Sequence, residues 1–243
     1  MSNESRNRFT ATHHALLFAW ISRAVATRVG KERGELVMRK AVRRYGEERG
    51  RRMALRAQAN GHGLSMANYI AYAEWQAGAG EMEQRIVEKV PHAMVHVHRC
   101  PWYTAWKEDD LMQYGRFYCL EIDEALVRGF NPELKVDVNS TQTNGGERCE
   151  FVFHNANLTL FNTLSLGYSK AIRPGRRALM SWDYHTGHLY KTMGKVIAEE
   201  LGQTGREAMS VALKEFLNCY GEEAGGVVAA YQDKDFNCLP RLT

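Results

Sequence analysis

Apolar residues recur at helical spacing over both ends of the chain. From Ala15 to about Arg56 the stripe includes Val37, Met38, Ala41, Val42 and Tyr45, and near the other end it is Ala212, Leu213, Phe216, Leu217 and Tyr220. That period buries one face of a helix. The two stripes match one for one at a constant offset, from 37 to 212 and from 45 to 220. The same offset pairs His13 with His188, Gly30 with Gly205, Glu32 with Glu207 and Gly50 with Gly225. It also pairs Tyr45-Gly46-Glu47-Glu48 with Tyr220-Gly221-Glu222-Glu223. The chain therefore reads as two related helical units, residues 1–60 and 180–228, flanking an insertion. Two copies are too few for a solenoid, so the terminal helices are expected to pack together in one domain spanning residues 1–243.

The centre reads differently. Ala93-Met94-Val95-His96-Val97-His98 alternates as a strand does and stops at Cys100-Pro101, because proline cannot donate to a ladder. Tyr114 to Phe130 carries helical spacing through Leu120, Ile122, Ala125 and Leu126 and ends at Gly129. Leu134–Val138 and Cys149–His154 then read as two strands of a hairpin across Thr143-Asn144-Gly145-Gly146, where Asn-Gly is a strong turn signal. Arg173-Pro174-Gly175-Arg176 marks a loop. The expected fold class is α+β, with helices from both termini packed around a small central antiparallel sheet.

Composition sets outer limits. With 44% hydrophobic residues, 25% charged residues and a net charge of +4, the 243-residue chain has the makeup of a globular domain. Its longest apolar stretch, Ala15–Ile21, is far too short for a membrane span. The polar start Met1-Ser2-Asn3-Glu4-Ser5-Arg6 does not read as a signal peptide. Five cysteines, none in a C-x-x-C pair, fit reduced thiols in a cytoplasmic protein better than a disulfide framework. Residues 1–60 hold 14 Lys/Arg against 5 Asp/Glu, densest from Arg39 through Arg43, Arg44, Arg49, Arg51, Arg52 and Arg56. Aromatic residues are not interleaved with these as a single-strand binder requires. The run is read as a solvated helix face or an oligomer contact, with a homo-oligomer expected and nucleic acid disfavoured.

Phosphate-cradle patterns and the nucleophile elbow Gly-x-Ser-x-Gly are absent. What remains is a set of spaced elements in the centre: Cys100-Pro101, Cys119-x-x-x-Asp123, Gly129-Phe130-Asn131-Pro132, Thr141-Gln142-Thr143 and Gly146-x-x-Cys149-x-Phe151. Over about residues 90–155 this pattern resembles the L-2-amino-thiazoline-4-carboxylic acid hydrolase family. The resemblance implies a hydrolase of a small, nitrogen-rich carbon–nitrogen substrate of amidine, guanidine or 2-aminothiazoline type. Departures stand at Ser140 and Val152, where the family pattern carries arginine, and at Glu150, where it carries aspartate. If those arginines hold a substrate carboxylate, their loss favours a substrate without one.

The residues themselves suggest how such a reaction runs. Cys119 and Asp123 are four apart on an expected helix and so share one face. A thiolate at Cys119 attacks the electrophilic carbon, and Asp123 orients the substrate nitrogens and favours their cationic form. A carboxylate alone raises a neighbouring thiol's pKa, so a basic partner is required. His98 is the first candidate, with His154, His185 and His188 as others. Cys149, Thr141 and Thr143, together with His154, His185 and His188, are the expected pocket residues. No cofactor is required by this scheme.

Two alternatives use the same residue types. Cys100, Cys119 and Cys149 with His98 have the ligand types of a zinc site. His185-x-x-His188, after Trp182-Asp183-Tyr184 and with His13 or His14, offers zinc or manganese a pair of imidazoles for metal-dependent hydrolysis. The other reading is a non-enzymatic zinc- or small-molecule-sensing module with a basic N-terminal surface.

Overall fold

The computed structural model describes residues 9–159 and 178–240. The loop expected at Arg173-Pro174-Gly175-Arg176 lies outside them. The fold is α+β. Two long helices, α1 (Ala11–Val29) and α2 (Lys31–Ala59), are followed by short α3 (Met66–Ala71) and strands β1 (Glu83–Glu88) and β2 (Ala93–Arg99). Helices α4 (Pro101–Glu108), α5 (Met112–Cys119) and α6 (Ile122–Phe130) lead into β3 (Val136–Ser140), a 3-10 turn (Gln142–Asn144) and β4 (Cys149–Phe153). After the undescribed stretch come α7 (Trp182–Tyr220), interrupted at Gly202, and α8 (Glu222–Ala229). No helix among the described residues is long and apolar enough to cross a membrane.

The four strands form one antiparallel sheet in the order β1-β2-β4-β3. Val97 faces Cys149, Val95 faces Phe151 and Ala93 faces Phe153 in register. Because directly paired residues share a face, these side chains line the helix-covered side, where Phe151 and Phe153 join the core. Met94, His96 and His98 point to the other side, with Glu150 and Val152. The hairpin between β3 and β4 is present, but its connection is longer than Asn-Gly alone predicts and contains the 3-10 turn. Strand β1 and helix α4 carry short, weakly periodic sequences and had no clear signal.

Helix α1 runs through the interior, burying Leu16, Leu17, Phe18, Trp20 and Ile21 against α7, α4 and α5. Its start is tied to the start of α7 by the Phe9 N–H, which donates to Asp183 Oδ1 at 2.8 Å. The expected packing of the two ends is therefore observed, but the constant-offset correspondence does not survive in three dimensions. Tyr45-Gly46-Glu47-Glu48 lies inside α2, whereas Tyr220-Gly221-Glu222-Glu223 straddles a corner. The true structural match is Gly30-x-x-x-Gly34 with Gly221-x-x-x-Gly225. Gly30 (φ 84°, ψ 159°) and Gly221 (φ 83°, ψ 164°) make the same corner with positive φ, which favours glycine.

The basic run is divided: Lys40, Arg44 and Arg51 are exposed as expected of a solvated face, whereas its C-terminal part also turns inward. Arg49, Arg52 and Arg56 are spaced three and four apart and so share one face of α2, which is turned inward and buried. They converge on Glu74, itself fully buried on the segment after α3. Arg39 and Arg43 hold Glu121 at 2.6 and 3.1 Å, and Arg44 holds Glu48 at 3.1 Å. Only Arg49, Arg52 and Arg56 are spent on an internal carboxylate, while the Arg39, Arg43 and Arg44 pairs sit at the surface.

Candidate active site

The site forms where several elements end together. Cys100 is the residue before α4, in extended conformation, and Pro101 supplies the first helical position, where a missing N–H costs nothing. Cys149 is the first residue of β4 and accepts a hydrogen bond from the Gln142 N–H at 3.4 Å. Cys119 is the last residue of α5, and Glu121 (φ −134°) breaks the chain before α6 begins. The continuous helix expected over residues 114–130 is thus two helices. Asp123 lies in the first turn of α6, where a carboxylate is favoured by the exposed N–H groups.

Cys119 and Asp123 line a pocket of about 190 Å³ together with Glu124, Val138, Ser140, Thr141 and Asn144. Thr143 stands beside the Cys119 thiol and donates to Thr141 Oγ1 at 3.2 Å. At this volume the pocket suits a small molecule. Cys119 and Asp123 are each partly accessible, whereas Cys149 is buried behind them.

Burial dominates the electrostatics. It raises the Cys119 thiol well above its ordinary value; the neighbouring Cys100 adds to this, and the Thr143 hydroxyl works the other way. Burial also pushes Cys100 up to about 11 and raises Cys149. Asp123 is raised to about 6, again by burial, with the positive charge of Arg49 opposing the shift. The three thiols favour their neutral form, and Asp123 ionises only above about pH 6. The pocket therefore concentrates latent negative charge without a histidine cation to release it.

The structure does not bring the histidines there. His98 is exposed on the far side of the sheet, next to His96 at 6.2 Å between ring centres. His154 is on that side as well, bonded to Asp137 Oδ2 at 2.7 Å. His185 and His188 are fully buried on α7, bonded through Nε2 to the Glu74 carbonyl at 3.1 Å and to Glu48 Oε2 at 2.9 Å. Burial holds both well below the ordinary histidine value, so they are neutral. His14 is likewise buried and neutral, between Tyr45 and the Trp102 indole. Among the described residues no group of three or more His, Cys, Asp and Glu side chains is arranged to hold a metal ion. Cys100, Cys119 and Cys149 form no such group.

Two groups escaped the sequence reading. Tyr118, buried between Trp102 and Tyr45, backs the Cys119 turn. Arg49, hidden in the basic run, is buried in the interior against the Tyr45 ring and Glu74; its spacing to Arg52 and Arg56 was the available signal.

The sequence model for L-2-amino-thiazoline-4-carboxylic acid hydrolase matches residues 10–153, more than half of the chain. The chain belongs to the L-2-amino-thiazoline-4-carboxylic acid hydrolase family. No curated protein and no solved structure matches it significantly. The family's description is that of a hydrolase. Its matched stretch runs from the start of α1 to the end of β4 and contains Arg49, Cys100, Cys119, Asp123, Thr143 and Cys149. It stops before α7, so the buried His185 and His188 lie outside what the family model covers.

Proposed function

We propose that the chain hydrolyses a small carbon–nitrogen substrate of amidine, guanidine or 2-aminothiazoline type, with Cys119 as nucleophile. The observation that carries this reading is the convergence of Cys119 and Asp123 on one small pocket in a chain of a hydrolase family. A thiol and a carboxylate both pushed toward neutrality by burial lack a positive partner, and an amidinium supplies one. On binding, its nitrogens donate to Asp123, and its charge lowers the cost of forming the thiolate.

The Cys119 proton passes to Asp123, whose raised pKa makes it a competent base near neutrality. The sulfur then bonds to the central carbon and forms a tetrahedral adduct. Collapse breaks one carbon–heteroatom bond of the substrate, and the leaving group takes the proton back from Asp123. Water adds to the resulting thioimidate carbon and gives a proton to Asp123, and as the carbon–sulfur bond breaks that proton passes to the Cys119 sulfur. Cys149, Thr141 and Thr143 shape and polarise the pocket, and no histidine is assigned a proton-transfer step.

A panel of small amidines, nitroguanidine-type compounds, ureas and 2-aminothiazolines, assayed for ammonia release and ring opening, tests the proposal. Turnover of a cationic member is expected. Absence of turnover across the panel overturns the reading, and undiminished turnover by Cys119→Ser removes the covalent mechanism.

A further inference from the structure

Helix α2 carries Glu35, Arg39 and Arg43 four residues apart, so the three form one stripe along its surface. The stripe grips both helices that meet at the candidate site. Arg116 of α5 reaches Glu35 Oε2 at 3.2 Å, and Glu35 Oε1 lies 3.6 Å from Arg39. Arg39 in turn holds Glu121 Oε1 at 2.6 Å through Nε, and Arg43 meets the same oxygen at 3.1 Å. Charge thus alternates along a ladder from Arg116 through Glu35, Arg39 and Glu121 to Arg43. Arg116 precedes Cys119 by three residues on α5. Glu121 is the residue at which the backbone turns into α6, two before Asp123. Its side chain is only 9% exposed and lines the pocket. Further along α2, Gly46 and Gly50 press the helix directly onto α6. A Cβ at Gly46 would lie 2.6 Å from that of Ala125, and one at Gly50 would lie 2.1 Å from the Leu126 carbonyl oxygen.

Ion pairs at a surface add little to stability. Guanidinium groups do fix a carboxylate in direction as well as distance, and two of them converge on Glu121. From this geometry we infer that Glu121 is a positioning residue for the site, holding Cys119 and Asp123 at their working separation by way of Arg39 and Arg43. The inference rests on the function proposed above and extends it to the strip of α2 that sets the two side chains. Without the charge at Glu121 the junction between α5 and α6 loosens and Cys119 moves toward water. The fold persists, because α2 still packs on α6 through Gly46 and Gly50.

The test compares wild type with Glu121→Gln, the double variant Arg39→Gln/Arg43→Gln and the conservative double variant Arg39→Lys/Arg43→Lys. Two rates are read beside thermal unfolding. One is turnover of a cationic amidine. The other is alkylation of Cys119 by iodoacetamide, followed on its own peptide by mass spectrometry with the exposed Cys219 as internal reference. Glu121→Gln and the Gln double variant are expected to melt close to wild type and to lose about 10- to 100-fold in kcat with KM little changed, the cost of a small misplacement. In both, Cys119 is expected to alkylate about 10-fold faster relative to Cys219, since a less buried thiol is more often ionised. The Lys double variant keeps both rates near wild type, because its charges still reach Glu121. Unchanged rates in the folded Gln variants overturn the inference and leave the hydrolase reading standing. A fall in turnover with Cys119 alkylation unchanged assigns Glu121 to the substrate itself and equally overturns positioning, as does faster alkylation with turnover unchanged. If wild type turns over no member of the panel, the hydrolase reading fails, and the alkylation rates alone decide whether Glu121 sets the junction. Should Glu121→Gln not fold, the Gln double variant, altered only at partly exposed side chains, decides in the same way.

Discussion

Cys119 closes α5 and Asp123 opens α6, and the break between them at Glu121 brings both side chains to one pocket. Glu121 is held there by Arg39 and Arg43 from α2. The two side chains are therefore positioned by a helix junction fastened from a neighbouring helix, a more rigid mount than a loop.

Cys119→Ser is expected to lower turnover by on the order of 1,000-fold or more, the size of a lost nucleophile, while leaving the fold intact. Steady-state ammonia release together with thermal unfolding checks it. A smaller loss is expected for Cys149→Ser, whose thiol is buried behind the pocket.

Asp123→Asn separates activity from stability. In the fold the Asp123 carboxyl is raised to about 6 from an ordinary 3.8. The folded state therefore holds its proton more tightly, and ionising it above about pH 6 costs stability that is not lost near pH 4. The variant is expected to be inactive yet roughly 1–3 kcal/mol more stable near neutral pH, with no gain near pH 4. Urea unfolding of both proteins at the two pH values measures this.

The buried histidines act with the opposite sign. His14, His185 and His188 are held below their ordinary 6.5 by burial. The unfolded chain therefore takes up protons that the fold refuses, and stability falls as pH drops through about 6.5. Three such groups outweigh Asp123, so the wild-type urea midpoint is expected to decline between about pH 7 and 5. In His14→Gln the decline is shallower.

Much of the architecture was legible because periodicity and turn chemistry act locally. The strand ending at Cys100-Pro101, the hairpin carrying Cys149, and the helical ends all follow from patterns within a few residues. The site was legible in part. Of the expected site residues, Cys119, Asp123 and Thr141 line one pocket, and Thr143 stands beside the Cys119 thiol. What the residues could not show was orientation. His98 differs from Val97 by one position along a strand, and that step sends it to the other side of the sheet. Arg49 was hidden because a basic run looks the same whether it faces water or Glu74.

Glu74→Gln is expected to destabilise the fold by about 3–5 kcal/mol, the cost of stripping the partner from buried charges. Its carboxyl is desolvated, but Arg52, Arg56 and Arg49 overcome that and hold it below the ordinary range. Chemical denaturation checks the magnitude. A shift under about 1 kcal/mol, the size of an exposed pair, shows the cluster to be poorly coupled.

A contrast between two glycines tests the α2–α6 contact. At Gly50 an alanine methyl would meet backbone atoms of Leu126, Gly129 and Phe130, which cannot move aside. At Gly226, inside α8, it would meet nothing within 4 Å. Gly50→Ala is expected to destabilise by about 1–3 kcal/mol or more and to lower activity by displacing α6. Gly226→Ala is expected to stabilise by about 0.5–1 kcal/mol. Melting curves with parallel rate measurements separate the two.

Arg52 also donates to the carbonyl of Phe236 at 2.9 Å, and the ring of Phe236 stacks on His188 at 4.1 Å. A nascent chain emerging from the ribosome thus cannot finish its interior until Phe236 has been synthesised. Until then its partly assembled cluster of arginines stays open to water and to passing chains. Ribosome stalling or proteolytic clipping just before that phenylalanine should leave a product that chaperones hold and proteases clear, although every residue of the pocket is already present.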